Sequence, residues 1–144
     1  MNKIKILSDE IINQIAAGEV LDRPSSAVKE LVENSIDANS KKISVFVRDG
    51  GKTEIIVTDD GDGISKQELE LAVTRHATSK LNEKKIDTLS FLGFRGEALP
   101  SIGSVSEMSI KSNINEDQNG MMIEIIAGIK KKIRPVNHRK GTTV

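Results

Sequence analysis

No cysteine, tryptophan or tyrosine occurs in this chain. Without cysteine there is no disulfide framework, no thiolate zinc site and no thiol nucleophile, an absence that fits a cytoplasmic location. The aromatic residues are Phe46, Phe91 and Phe94 alone. Three are too few for a surface on which the bases of a single strand stack. The two histidines, His76 and His138, are far apart and outside any HExxH pattern, so zinc is not expected. Nothing approaches the roughly 18 apolar residues that argue for a membrane span. MNKIKILSDEII carries charges every few residues where a signal peptide would be apolar. The phosphate-binding fingerprints GxGxxG and GxxxxGK[ST] are missing too. Net charge is absent as well, with 21 basic and 21 acidic residues, so bulk charge does not call for nucleic acid or an acidic membrane.

What is present is the material of one globular domain. The 144 residues, 37% hydrophobic and 29% charged, are enough to bury about 68–70% of the unfolded surface. Charge is unevenly spread. Ser8 to Ser40 holds seven acidic and two basic residues, and Ile125 to Val144 holds six basic and no acidic ones. The basic tail reads first as a solvated strand face.

The pattern predicts a helix capped by Ser8, an interruption at Pro24, and a second helix capped by Ser25 or Ser26 through AVKELVENSIDA. KISVFVRD alternates, with Ile43, Val45 and Val47 on one face. Gly50-Gly51 turns the chain, and TEIIVTD is the hairpin partner. Ser65 with Glu68 forms a capping box for a helix that buries Leu69, Ala72 and Val73. Asn82 to Ser90 reads as a mobile loop and FLGFRGEALPSIG as a loop feeding a short helix. EMSIKSNI, GMMIEIIAG, KKKIRPV and GTTV read as strands, with turns at Asn115–Gly120 and near Gly128. Helices followed by antiparallel strands suit an α+β two-layer sandwich, helices on one face of a mixed, mostly antiparallel sheet.

Three segments could carry chemistry. On the second helix, Glu30, Asn34 and Asp37 fall within about 60° of one another, beside a separate stripe of Val28, Leu31, Val32 and Ile36. Taken alone this is a solvated acidic face. The sharper reading is a Mg²⁺ and water site, because Mg²⁺ pairs one or two protein oxygens with substrate phosphates and waters. TDDGDGIS is first of all a tight turn. Its glycines also let the backbone approach a flat ligand, and an Asp59 carboxylate would accept a hydrogen bond from the exocyclic amine of adenine but not from the carbonyl of guanine. The spacing does not meet the EF-hand pattern, so calcium is not expected. In GFRGEALPSIG, Gly93, Arg95 and Gly96 precede Glu97, Ala98 and Leu99, so backbone N–H groups ahead of a helical turn could hold an anion. An ordinary loop with a cap explains it equally well.

In order, ELVENSIDA, DDGDGI, RHATSK, GFRGEAL and GTTV resemble the motifs of the GHKL ATPases, the superfamily of gyrase B, Hsp90, histidine kinases and MutL. IAAGEV, RPSSAVKELVENSIDA, RHATSK and GFRGEALPSI are close to MutL wording, and the likeness spans Ile15 to Val144. It implies the Bergerat sandwich, binding ATP with Mg²⁺. Glu30 would be the catalytic base, acting mainly by orienting water because a glutamate is a weak base at neutral pH. Asn34 would be the metal ligand, with Asp37 and Ala38 beside it. Asp59 would read the adenine amine, with Gly61, Gly63 and Ile64 lining the base and Thr142 supporting it through water. Arg75 to Lys80, Thr78, Ser79 and Lys80 among them, with Gly93, Phe94, Arg95, Gly96, Glu97, Ala98 and Leu99, would form the lid and phosphate cradle. The likeness further implies one ATPase domain, 1–144, that is a fragment of a longer chain. A γ-phosphate lysine from a second domain would be missing, so nucleotide binding would be weak or conditional and turnover poor. The parent would be a slow ATPase switch in DNA mismatch repair, its partners a second copy, a MutS-type mismatch-recognition protein and DNA, with no membrane. It would be cytoplasmic, and nucleoid-associated if bacterial. The alternatives are another GHKL ATPase, gyrase B- or Hsp90-like, and a non-catalytic scaffold of the same fold.

Overall fold

The structure, a computed structural model, describes residues 23–74 and 98–144. The helix expected from Ser8, the loop expected at 82–90, and the candidate residues Arg75, Thr78, Ser79, Lys80, Gly93, Phe94, Arg95, Gly96 and Glu97 lie outside the described residues.

Helix α1 runs Pro24–Asp37. Pro24 opens it in the first turn, where a missing N–H costs nothing and the fixed φ of proline suits a helix. Arg23 holds the N-cap position without a side-chain bond, so neither Ser25 nor Ser26 caps. The helix ends where Asn39 turns into the left-handed region at φ 61°, a conformation that asparagine tolerates. The hairpin is as expected. Strands β1 (Ile43–Arg48) and β2 (Glu54–Asp59) pair antiparallel with Val45 opposite Val57. Gly50, at φ 63°, lets the chain turn between them. Val45 and Val47 remain 44% and 43% exposed; among the described residues β1 ends the sheet order, with a strand on one side only.

Helix α2 (Lys66–Ala72) starts from Ser65, whose hydroxyl accepts the Glu68 N–H at 3.2 Å, as the capping pattern required. Leu69 is fully buried and Val73 nearly so. Helix α3 (Ala98–Ser104) follows, then strands β3 (Glu107–Asn113) and β4 (Gly120–Ile126). KKKIRPV, expected as one strand, is divided into β5 (Ile129–Lys130) and β6 (Arg134–Val136). Both pair with β4, but the register slips by one residue between Lys131 and Arg134, which is a β-bulge. Pro135 sits in β6, which pairs with β4 alone, a strand edge that does without a proline N–H. The last strand is β7 (Gly141–Thr143).

The sheet order is β1-β2-β7-β3-β4-β5, with β6 also on β4, and every described pairing is antiparallel. Opposed residues share a face. Val57 and Asp59, Thr142, Ser112 and Ile110, and Ile123 therefore lie on the face that the helices cover. The core is Leu69 and Val73 of the α2 region against Met108, Ile110, Ile123 and Ile125, with Leu99 and Ile102 of α3 packed alongside. Placing β7, late in the sequence, between β2 and β3 sets Asp59 beside Thr142 and Thr142 beside Ser112.

Candidate functional site

Helix α1 meets the sheet along a stripe that helical geometry sets but hydrophobicity does not. Its buried residues are Ala27, Glu30, Leu31 and Ser35, spaced as one helical face. The expected apolar stripe is displaced: Ile36 is 59% exposed, and Val28 and Val32 are only half-buried. Glu30 is 9% exposed, so it does not belong to a solvated acidic face. Asn34 lies one turn further on and is half-buried, while Asp37 is exposed. The carboxylate and the amide thus stand on the sheet side of the helix, and Asp37 stands away from it.

The same stripe continues to Ser35, whose hydroxyl donates to Asp59 Oδ2 at 2.7 Å. Asp59 ends β2 and is 8% exposed. Its Oδ1 accepts the Gly61 N–H at 2.9 Å and the Thr142 N–H at 3.2 Å. A carboxylate offers about four lone-pair sites. Oδ1 is saturated by two N–H groups, so Oδ2, beyond its bond from Ser35, keeps the open acceptor position. Thr142 Oγ1 and Ser112 Oγ are 2.7 Å apart, and Ser112 Oγ also meets the Gly141 carbonyl at 3.0 Å and the Ile64 N–H at 2.7 Å. One proton and two lone pairs on Ser112 satisfy all three contacts only if Thr142 donates to Ser112 and Ser112 donates to Gly141. The lone pairs of Thr142 Oγ1 then remain as acceptors beside Asp59.

The DDGDG turn is locked to the end of α1. Asp62 N–H donates to the Ala38 carbonyl at 2.8 Å, and the Asn39 amide donates to Asp62 Oδ2 at 2.7 Å. Lys41 and Lys42 donate backbone N–H bonds to Asp60 Oδ1 at 2.7 and 2.9 Å. Those two bonds hold the Asp60 carboxyl below its ordinary value of 3.8. Both glycines have an internal reason. A Cβ on Gly61 would stand 2.5 Å from the Ala38 carbonyl oxygen. One on Gly63, where φ is +79°, would stand 2.1 Å from the Asn113 carbonyl oxygen. The fold alone accounts for them, whatever else approaches.

Of the residues singled out in the sequence, Ala38, Asp59, Gly61, Ile64 and Thr142 are linked by these bonds, directly or through Ser35, Asp62 and Ser112, Gly63 abuts Asn113, and Glu30 and Asn34 stand one helical turn apart on α1. Leu99 instead packs against the core from α3, and of Ala98 only its place at the start of that helix is described. His138 bonds the Arg139 carbonyl and the Thr143 hydroxyl, a structural role. Three contributors escaped sequence reasoning: Ser35, Ser112 and Gly141. Ser112 interrupts an apolar strand face after Met108 and Ile110, which was the available signal; Ser35 shares its helical face with Glu30 and gave none. No group of three His, Cys, Asp or Glu suited to a metal occurs among the described residues. Any Mg²⁺ here would have to share its shell with phosphate oxygens, which is its common habit.

Residues 22–138 match the family described as histidine kinase-, DNA gyrase B-, and HSP90-like ATPase. A DNA mismatch repair protein MutL of Rickettsia bellii is 50% identical over 141 residues, covering 98% of this chain and 23% of that protein. The chain thus spans about a quarter of the length of the curated relatives it matches. A crystal structure of the N-terminal domain of a DNA repair protein superposes with TM-score 0.70 at 33% identity, over 96% of this chain and 40% of that one. The Aquifex aeolicus MutL ATPase domain complexed with ADP gives 0.55 at 31%, over 82% and 39%.

Proposed function

The chain belongs to the histidine kinase-, DNA gyrase B-, and HSP90-like ATPase family, as a MutL-type N-terminal domain, and from that premise we propose that it binds ATP with Mg²⁺ at the corner of α1 and β2. The observation that carries the reading is the Asp59 carboxylate. Three donors fix its plane and leave an acceptor site on Oδ2, the arrangement that takes the exocyclic amine of adenine. Thr142 Oγ1 adds acceptor lone pairs next to it, directly or through water. ADP in the Aquifex MutL domain supports the same class of ligand here.

The phosphates then lie toward Asn34 and Glu30. The Asn34 amide oxygen would ligate Mg²⁺ without adding charge, and the ion when bound neutralises charge on the phosphates. Glu30 orients the attacking water and accepts its proton late, since phosphoryl transfer depends chiefly on positioning. Asp37 and Ala38 flank the metal side, and Gly61, Gly63 and Ile64 the base. The lid and cradle residues expected from the resemblance, Thr78, Ser79, Lys80 and Gly93 to Glu97, lie outside the described residues, and Leu99 packs against the core. In the whole protein, slow ATP hydrolysis serves as a conformational and dimerisation switch in DNA mismatch repair, in the cytoplasm, with a MutS-type protein and DNA as partners.

The test is calorimetric titration of the 144-residue chain with ATP and GTP, with and without Mg²⁺. ATP should bind more tightly than GTP, more so with Mg²⁺, and Asn34→Ala should blunt the Mg²⁺ effect. Equal affinity for the two purines, or an Asn34→Ala titration identical to the parent, would sink the assignment.

A further inference from the structure

The hydroxyl protons around Asp59 are all spent inside the protein. Asp59, Thr142 and Ser112 stand in one cross-strand row on β2, β7 and β3, and opposed residues share a face. The row is buried: Ser112 is 1% exposed, Thr142 7% and Asp59 8%. Ser35 reaches it from α1 and gives its proton to Asp59 Oδ2. Ser112 Oγ takes the Ile64 N–H on one lone pair at 2.7 Å and gives its only proton to the Gly141 carbonyl at 3.0 Å. Its second lone pair, 2.7 Å from Thr142 Oγ1, then takes the Thr142 proton. The reverse direction, Ser112 donating to Thr142, would set a lone pair of Ser112 against the Gly141 carbonyl at a buried position, at the cost of an unmade hydrogen bond.

With three protons directed inward, these side chains show a ligand acceptors only. Asp59 is an acceptor by its charge. Thr142 is an acceptor only because Ser112 holds its proton; a hydroxyl free to rotate can donate to a carbonyl or accept from an amine. We propose that Ser112 is a positioning residue that sets base specificity. It fixes the direction of the Thr142 hydroxyl, and so commits the ligand edge facing Asp59 and Thr142 to be a hydrogen-bond donor, a primary amine in place of a carbonyl. Ser112 acts through Thr142 and does not touch the ligand. The inference rests on the nucleotide reading above and adds a second gate to it. An aspartate alone would reject a carbonyl at one oxygen, whereas this site rejects it at two, leaving acceptors unpaired against the wrong base.

The experiment is calorimetric titration of the 144-residue chain, with Mg²⁺, by ATP and by ITP, whose base has a carbonyl where adenine has the amine. The parent should prefer ATP. Ser112→Ala releases the Thr142 proton toward the ligand, so the ATP-to-ITP affinity ratio should fall about fivefold or more. In a Thr142→Val background no hydroxyl remains to be directed, and adding Ser112→Ala should leave the ratio where Thr142→Val alone puts it. Thr142→Val alone should weaken ATP without weakening ITP. That measurement leaves Ser112 unchanged and decides the matter even where Ser112→Ala does not fold. A merely structural Ser112 would cost both nucleotides equally, and such a parallel loss would overturn the proposal. So would an ITP affinity lowered by Thr142→Val, or a Ser112→Ala shift in the ratio that persists in the Thr142→Val background. A parent chain indifferent to the two nucleotides would overturn the ATP reading itself.

Discussion

Replacing Asp59 by asparagine separates its part in the fold from its part in binding. The Gly61 and Thr142 N–H groups both point at Oδ1, so the asparagine carbonyl must take that place. Its NH₂ then occupies the position of Oδ2, where the Ser35 hydroxyl can turn round and accept. All three internal contacts survive without charge assistance, a loss of about 1–2 kcal/mol in stability. Alanine would strand three donors at about 1–3 kcal/mol each, a large share of the roughly 5–15 kcal/mol that holds a domain together. Asparagine is therefore the informative change. At Oδ2 it presents a donor to the adenine amine, itself a donor, and removes a charged hydrogen bond worth about 1.5–3 kcal/mol. That corresponds to about 10- to 150-fold weaker ATP binding. Calorimetric titration gives the affinity, and urea denaturation gives the stability. Unchanged ATP affinity in a folded Asp59→Asn protein would refute the assignment of Oδ2 as the adenine acceptor.

Glu30→Ala should stop phosphate release from ATP in a hydrolysing form of the protein while leaving nucleotide affinity within about threefold; turnover at the parent rate would remove Glu30 from the mechanism. Asp60 has a lowered pKa because the Lys41 and Lys42 N–H groups favour its ionised form. Its contribution is therefore present above 3.8 and lost as pH falls through the lower folded-state value. Asp60→Asn should flatten that part of the acid limb of the urea midpoint, and an identical pH profile would count against the two bonds. Gly141→Ala would set a Cβ 2.0 Å from the Asp59 carbonyl oxygen at φ +125°, costing roughly 1–3 kcal/mol. It should also weaken ATP binding by shifting the Thr142 N–H, whereas a neutral effect on both would show that β7 adjusts freely.

Most local elements were legible because their causes are local. The hairpin followed from alternation and a glycine turn, and helix α2 from Ser65 and Glu68. Misreadings arose where distant packing overrode local pattern. Ser25 or Ser26 reads as the cap of α1, yet Pro24 already lies inside its first turn and Arg23 holds the cap position. The stripe Val28, Leu31, Val32 and Ile36 reads as the core face of α1, but of these only Leu31 is buried, because the sheet takes the face carrying Ala27, Glu30, Leu31 and Ser35. KKKIRPV looks continuous in sequence, but a bulge at Lys132 and Ile133, opposite Ile123 of β4, divides it.

The sequence by itself determined which groups are available: a glutamate and an asparagine one helical turn apart, an aspartate at a strand end before two glycines, and a motif order resembling one ATPase family. It did so because helical and strand periods, and the residues that turns demand, are short-range properties. Only the tertiary structure decided that Ser35, Gly61 and Thr142 converge on one carboxylate, and on which of its oxygens a lone pair stays open. Those partners lie 24, 2 and 83 residues from Asp59. The longest link exists because β7 enters the sheet between β2 and β3, a choice of strand order that no local period encodes.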